Sequence, residues 1–240
     1  MSESPGRKLR SRLSQRLPQI VVNIDYTNAS LVEFLGHVGA DVIFIDCEQG
    51  DTSIESIPDL VRAAHCAGVP AVVRLPSPDP AVIERYMFRG VDGIVVPRLT
   101  APEQAKAVVE TVRYCFPAQH PDKAVIVQIE DIAAVRALDA FLDIDGIDCF
   151  FVGPVDLSKS MGHRGDYACA PVAAEIERTI GRMTKRGRAV GILAKPDTLA
   201  ALVGAGVSFL YLHTNDFITL GAAQILRSLA TSAPKAKGKA

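Results

Sequence analysis

Eight short apolar runs punctuate the chain, at residues 20–24 (IVVNI), 42–45 (VIFI), 71–73 (AVV), 93–96 (GIVV), 124–129 (AVIVQI), 149–152 (CFFV), 189–193 (AVGIL) and 209–212 (FLYL). Each is followed by a segment whose apolar residues recur at helical spacing: 30–38, 53–67, 80–88, 102–114, 131–142, 171–186, 196–203 and 216–229. Strands so uniformly apolar are buried on both faces, which belongs to parallel sheets covered by helices. A right-handed crossover through a helix returns the chain in the same direction, so successive strands run parallel. Eight such units in 240 residues, close to the roughly 250 typical of the fold, predict a (β/α)8 TIM barrel. An open doubly wound sheet is the alternative, and no GxGxxG turn follows the first strand to support a dinucleotide-binding form of it.

In a barrel of this kind chemistry gathers just after the strands. The polar residues there are Asn23, Asp25, Asp46, Glu48, Gln49, Arg74, Arg98, Glu130, Asp156 and His213. The central unit, residues 125–158, is the most pointed. Its two strands end in Gln128-Ile129-Glu130 and in Gly153-Pro154-Val155-Asp156, with Asp131 placed to cap the helix between them. Parallel strands deliver Glu130 and Asp156 to the same edge, and two hard oxygen donors beside an exposed Gly-Pro turn suit a divalent cation such as Mg2+ or Mn2+. The plainer alternative is that each carboxylate only caps the helix after it. Arg74, at the end of a buried strand, needs a negative partner: a substrate anion, an ion pair with Asp46 or Glu48, or both.

Composition narrows the partners. A net charge of −1 gives no electrostatic footprint for nucleic acid. No window approaches the roughly 18 uninterrupted apolar residues of a membrane helix. Five cysteines without CxxC spacing speak for a reducing, cytoplasmic setting rather than a disulfide framework or zinc site. Leu9, Leu13 and Leu17 define an amphipathic helix in residues 1–19 packed on the barrel, in preference to a basic transit peptide. Residues 20–231 form the barrel, and 232–240 a flexible basic tail.

These residues resemble the metal-dependent, class II 2-keto acid aldolases of the HpcH/HpaI group. The resemblance is carried by DVIFIDCEQ (41–49), VVRLP (72–76), GVDGIVVP (90–97), VQIE (127–130), GIDCFFVGPVDLSKSMG (146–162) and GRAVGIL (187–193). It implies that Glu130 and Asp156 bind a divalent metal (Mg2+, Mn2+ or Co2+) that chelates pyruvate or its enolate. It implies that Arg74 stabilises the enolate oxygen, that Asp46 and Glu48 belong to the acid/base network, and that Gln128 with Gly153, Pro154 and Val155 shapes the pyruvate pocket. A Lewis acid and an arginine sharing the enolate charge remove the need for a Schiff-base lysine, and Lys159, beyond the strand end on a polar turn, is a weak candidate for one. Compact homo-oligomers, trimers or hexamers, are implied as well.

Four departures accompany the resemblance. Gln49 stands where the family usually carries its proton-transfer histidine, and an amide is no base near pH 7. Phe88 stands where an aspartate often supports that histidine. The segment 116–123 is short and lacks an Arg-Gly element, and Asn23 replaces a common tryptophan. The expected reaction is reversible aldol cleavage of a 4-hydroxy-2-oxo acid to pyruvate and an aldehyde through a metal-bound enolate. Either a metal-bound water, Glu48, His163 (from a neighbouring subunit) or His213 then moves the proton, or the reaction has changed. The alternatives are decarboxylation of an oxaloacetate-like acid, which needs no such base, and a catalytically inactive barrel acting as a binding or assembly subunit.

Overall fold

The apolar runs pair in chain order into one closed, wholly parallel barrel, β1-β2-β3-β4-β5-β6-β7-β8, with β8 returning to β1. The computed structural model describes residues 3–232. The strands are β1 (Gln19–Asn23), β2 (Val42–Asp46), β3 (Ala71–Arg74), β4 (Gly93–Val96), β5 (Ala124–Ile129), β6 (Cys149–Val152), β7 (Val190–Leu193) and β8 (Phe209–His213). The TIM barrel expected from the alternation is therefore present, and the open sheet is excluded. Two apolar cores follow from strand geometry, because alternate side chains point to opposite faces. One parity packs outward against the helices. The other, with Val21, Phe44, Val72, Val95, Ile126, Phe151 and Tyr211, fills the barrel interior.

Helix α1 (Pro5–Ser14) closes the interior from below. Leu9 and Leu13 are fully buried within the same cluster as the inward strand residues, and each contributes on the order of 1.5–3 kcal/mol by burial. Leu17 differs from expectation: it is 40 % exposed. The helix ends because Arg16 takes a left-handed φ of 55°, with Arg16 N–H donating to Leu13 O and Leu17 N–H to Arg12 O.

Around the barrel run α2 (Ala29–His37), α3 (Ile57–Cys66), α4 (Pro80–Met87), α5 (Pro102–Cys115), α6 (Ile132–Arg136), α7 (Leu138–Leu142), α8 (Pro154–Ser160), α9 (Ala170–Lys185), α10 (Leu199–Gly204) and α11 (Thr214–Ser232). The helix expected over 53–67 begins only at Ile57, since Pro58 lacks an N–H and is at home in a first turn. The helix expected over 131–142 is broken at Ala137 into α6 and α7. Arg182 Nη1 donates to the Val135 carbonyl at 3.1 Å, drawing that acceptor away from the helical ladder. The stretch from Pro154, read as a turn, is instead α8, with Pro154 in its first turn.

Helix α11 carries Phe217, Ile218, Leu220, Ile225, Leu226 and Leu229 exposed to solvent. Its range includes Ser232, so the basic tail expected over 232–240 lies otherwise outside the described residues. Among the described residues no helix is long and apolar enough to cross a membrane. All five cysteines are free.

Candidate active site

Inward-facing positions on a strand recur every second residue, so the site can be read by stepping upward from the apolar interior. Above Val21 come Asn23 and Asp25; above Phe44, Asp46; above Val72, Arg74; above Ile126, Gln128 and Glu130; above Phe151, Gly153; above Tyr211, His213. The apolar layer forms a floor in which Tyr211 meets Phe44 edge-on at 4.7 Å between ring centroids and Phe151 at 5.7 Å. Over it lies a cavity of about 430 Å3. Asn23, Asp25, Asp46, Gln49, Arg74, Gln128, Glu130, Gly153, Pro154, Val155, Asp156 and His213 all line it. Glu48 and Arg98 lie off this cavity, in an adjoining cleft with Thr100 and Ser160.

Register explains the first ion pair. Asp46 on β2 stands opposite Arg74 on β3, and Arg74 Nε and Nη2 donate to Asp46 Oδ1 and Oδ2 at 2.9 and 2.6 Å. Asp46 Oδ1 also accepts from the Glu48 and Gln49 N–H groups. Burial pushes the Asp46 carboxyl up, but Arg74 and those amides outweigh it and hold the group below the ordinary carboxylate range. Glu48 is gripped from two sides: Arg74 Nη1 at 3.3 Å on Oε2, and Arg98 Nε at 2.8 Å on Oε1. Its burial, only partly offset by the two arginines, raises it above the usual value. Arg74 thus has the ion pairs expected with Asp46 and Glu48, and it also lines the cavity.

Glu130 is the most perturbed carboxylate of the site. Burial, with Glu48 and Asp156 nearby, pushes it up to about 7 against the opposing hydrogen bond from the Arg98 N–H. That amide donates to Oε1 at 2.6 Å, and Gln128 Nε2 donates to Oε2 at 2.7 Å. Arg98 reaches this position through a left-handed φ of 61°, costly for a branched-free side chain yet here fixed by the bond it makes. Gln128 Oε1 is buried without a hydrogen-bond partner among the described residues. Gly153 is required beside it, because a Cβ there would lie 2.6 Å from Glu130 Oε2. Asp156, in the first turn of α8, is more open and accepts from Lys159 Nζ at 2.8 Å. Asp131, not Glu130, caps α6, with its side chain accepting from the Ala133 N–H.

This donor set fits a hard divalent cation. A buried carboxylate that draws a proton near neutrality, a second carboxylate at the cavity wall and an orphaned amide oxygen all call for positive charge. Among the described residues no three acidic, histidine or cysteine side chains gather to cage a metal. Two carboxylates with the remaining positions left to water and substrate oxygens is the arrangement Mg2+ commonly takes.

The β8–β1 closure adds a cluster to which sequence could attach no partner. Asn23 faces His213 in register, and His213 Nδ1 lies 2.6 Å from Asp25 Oδ1. Asp25 Oδ1 also accepts from Asn23 Nδ2 and Oδ2 from the Asn215 N–H. His163 sits in the loop after α8 and does not line the cavity.

The family profile described as HpcH/HpaI aldolase/citrate lyase matches residues 19–209, the barrel from its first strand to its eighth. The chain belongs to the HpcH/HpaI aldolase/citrate lyase family. A hydroxypyruvate/pyruvate aldolase of Roseovarius nubinhibens is 33 % identical over 202 residues, 74 % of this chain and 79 % of that protein. A pyruvate aldolase of Rhizobium etli is 28 % identical, covering 86 % of this chain and 91 % of its own. Among solved structures, an HpcH/HpaI family protein from Burkholderia cenocepacia superimposes with a TM-score of 0.84 over 93 % of this chain and 99 % of that one. At 24 % identity that likeness speaks for the shared fold.

Proposed function

We propose that this HpcH/HpaI family member is a metal-dependent carbon–carbon lyase that cleaves a 4-hydroxy-2-oxo acid reversibly to pyruvate and an aldehyde. The observation that carries the reading is the convergence of Arg74, Gln128, Glu130 and Asp156 on one cavity above an apolar floor. The names of relatives that act on pyruvate support the substrate class. Glu130 and Asp156 would hold the cation, Mg2+, Mn2+ or Co2+, which when bound supplies a Lewis acid for the 2-oxo acid's carboxylate and keto oxygens.

The chain's own residues do the rest. Arg74, locked by the Asp46 fork, presents fixed positive charge to the oxygen on which negative charge develops, and needs no reorganisation to do so. Gln128 holds Glu130 through Nε2 and lines the pocket, its Oε1 buried without a partner among the described residues. Gly153 carries no side chain and, with Pro154 and Val155 of the first turn of α8, walls the cavity beside Glu130. Gln49, in the place the resemblance assigns to a histidine, lines the cavity as an amide and cannot accept the proton. That same feature favours a second reading, decarboxylation of an oxaloacetate-like acid, in which no hydroxyl proton is removed. The proposal extends to assembly as a homo-oligomer, supported by the apolar residues that α11 leaves in solvent.

The test is exchange of pyruvate methyl protons in deuterated water, followed by NMR with Mg2+, Mn2+ or Co2+ and with chelator. Metal-dependent exchange, lost in Glu130→Ala and in Asp156→Ala proteins that still fold, is expected. Equal exchange with chelator present would sink the metal-dependent reading.

A further inference from the structure

An aldol cleavage needs a group that takes the C4 hydroxyl proton and a group that returns a proton to C3. The carboxylates near Arg74 are poorly suited. Both oxygens of Asp46 accept from Arg74, Glu48 Oε1 accepts from Arg98 and its Oε2 is ion-paired with Arg74, and Glu48 lines only the adjoining cleft. Glu130 and Asp156 are committed to the cation. Gln49 has no basic atom.

The geometry points to His213 as the residue that moves this proton, with Asp25 as its positioning partner. This rests on the lyase reading above. Asp25 is an acceptor-only carboxylate 2.6 Å from Nδ1, so the neutral ring carries its proton on Nδ1 and presents Nε2 as an acceptor. Among the described residues Nε2 has no hydrogen-bond partner, and the side chain is 37 % exposed at the cavity wall. Asp25 is itself held on three sides, by Asn23 Nδ2, the Asn215 N–H and His213. The ring is held in turn by Tyr211, edge-on at 5.2 Å, while the His213 N–H donates to Asp216, whose other oxygen accepts from Lys195. A base oriented by a carboxylate that is oriented by its own neighbours is the arrangement proton transfer requires.

Placement agrees with the chemistry. In a ring of eight strands, β1 is four strands from β5 and β8 is two from β6. Asp25 therefore stands across the mouth from Glu130, with His213 on β8 three strands round from β5. A substrate whose 1-carboxylate and 2-oxo group lie toward Glu130, Asp156 and Arg74 extends C3 and C4 toward His213. In cleavage, Nε2 takes the C4 hydroxyl proton, and the O–H electron pair becomes the aldehyde C=O bond as C3–C4 breaks. The C3–C4 pair forms the C2=C3 bond of the enolate, and the C2=O pair moves onto oxygen beside Arg74. The imidazolium then gives the same proton to C3 as the C2 carbonyl re-forms, so pyruvate leaves and the ring ends as it began. No oxidant or further reactant is consumed.

The experiment compares pyruvate methyl exchange and pyruvate binding for the wild type, His213→Ala and Asp25→Asn, each with Mg2+. His213→Ala should bind pyruvate as the wild type does and lose exchange on the order of 100-fold or more, and added imidazole should restore part of the rate. Asp25→Asn should lower kcat with KM for pyruvate little changed, and Asp25→Glu should recover more of it. Wild-type exchange in folded His213→Ala overturns the dyad and leaves the lyase reading standing, as does a loss of rate that imidazole fails to restore while pyruvate binding is lost too. No exchange in the wild type itself, with any of the three metals, overturns both.

Discussion

Arg74 serves two ends that a single substitution can separate. It neutralises Asp46 and Glu48, whose side chains are 9 % and 4 % exposed, and it faces the cavity. Arg74→Met removes the charge, leaving the buried Asp46 without its ion-pair partner and Glu48 with Arg98 alone, which should cost about 3–5 kcal/mol of stability. Arg74→Lys keeps a charge but loses the planar fork that fits Asp46. We expect its unfolding midpoint to fall far less, while aldol kcat/KM drops on the order of 100-fold. Parallel urea titrations and initial rates for the two variants check this. Equal stability losses would mean that geometry, not charge, holds the pair. Both partners of this pair stood at strand ends in the sequence and were assignable to the site. Asp25 and His213 were likewise read at strand ends, but their pairing was not legible, because 188 residues separate them and only the closing of β8 on β1 brings them together.

The turn from β6 into α8 and the contact between α3 and the strand bases show two ways in which an element depends on one residue. A methyl group at Gly153 would lie 2.6 Å from Glu130 Oε2 and 2.7 Å from Glu130 Cβ, so Gly153→Ala must displace the carboxylate. Loss of metal-dependent exchange by at least about tenfold is expected, for a displacement of this size at a catalytic ligand, with the circular dichroism spectrum unchanged. An unaffected rate would show that Glu130 has another workable position. At the other end of the barrel, His65 Nε2 pairs with Asp92 Oδ2 at 2.8 Å, and that oxygen also accepts from the Ala71 N–H. The Asp92 hydrogen bond raises His65 above its ordinary 6.5, against burial. The stabilisation this pair gives is fully present below pH 6.5 and is lost as pH rises through the elevated folded-state value. The wild-type midpoint in urea should therefore fall across that interval relative to His65→Gln, and parallel curves for the two proteins would refute it. Elements of strong period were legible in sequence, and every strand lay within a residue or so of its apolar run. The misreadings have local causes: Arg16's left-handed turn put Leu17 outside α1, and Arg182's bond to Val135 O split the central helix. Neither is visible in a hydrophobic period.

The whole molecule has two ends with opposite treatment of apolar surface. Beneath the barrel, α1 folds back and buries Leu9 and Leu13 completely. Beyond β8, α11 does the reverse: Ile218, Ile225 and Leu229 are 54 %, 71 % and 69 % exposed. With Ala222 they fall at i, i+4, i+7 and i+11, one continuous face of the helix. An apolar stripe of this length is the kind of surface that monomers rarely leave in water. A second copy of the same helix would meet it with identical character, as a self-complementary interface requires. Sedimentation of the full chain should accordingly give a mass above that of one chain. Ile225→Glu with Leu229→Glu places two charges in that face without touching the barrel. The double variant should sediment as a single chain while its far-ultraviolet spectrum and pyruvate binding are kept. A wild type that sediments as one chain at tens of micromolar, or a double variant that still assembles, would remove α11 as the assembly surface and leave its exposed stripe to another partner.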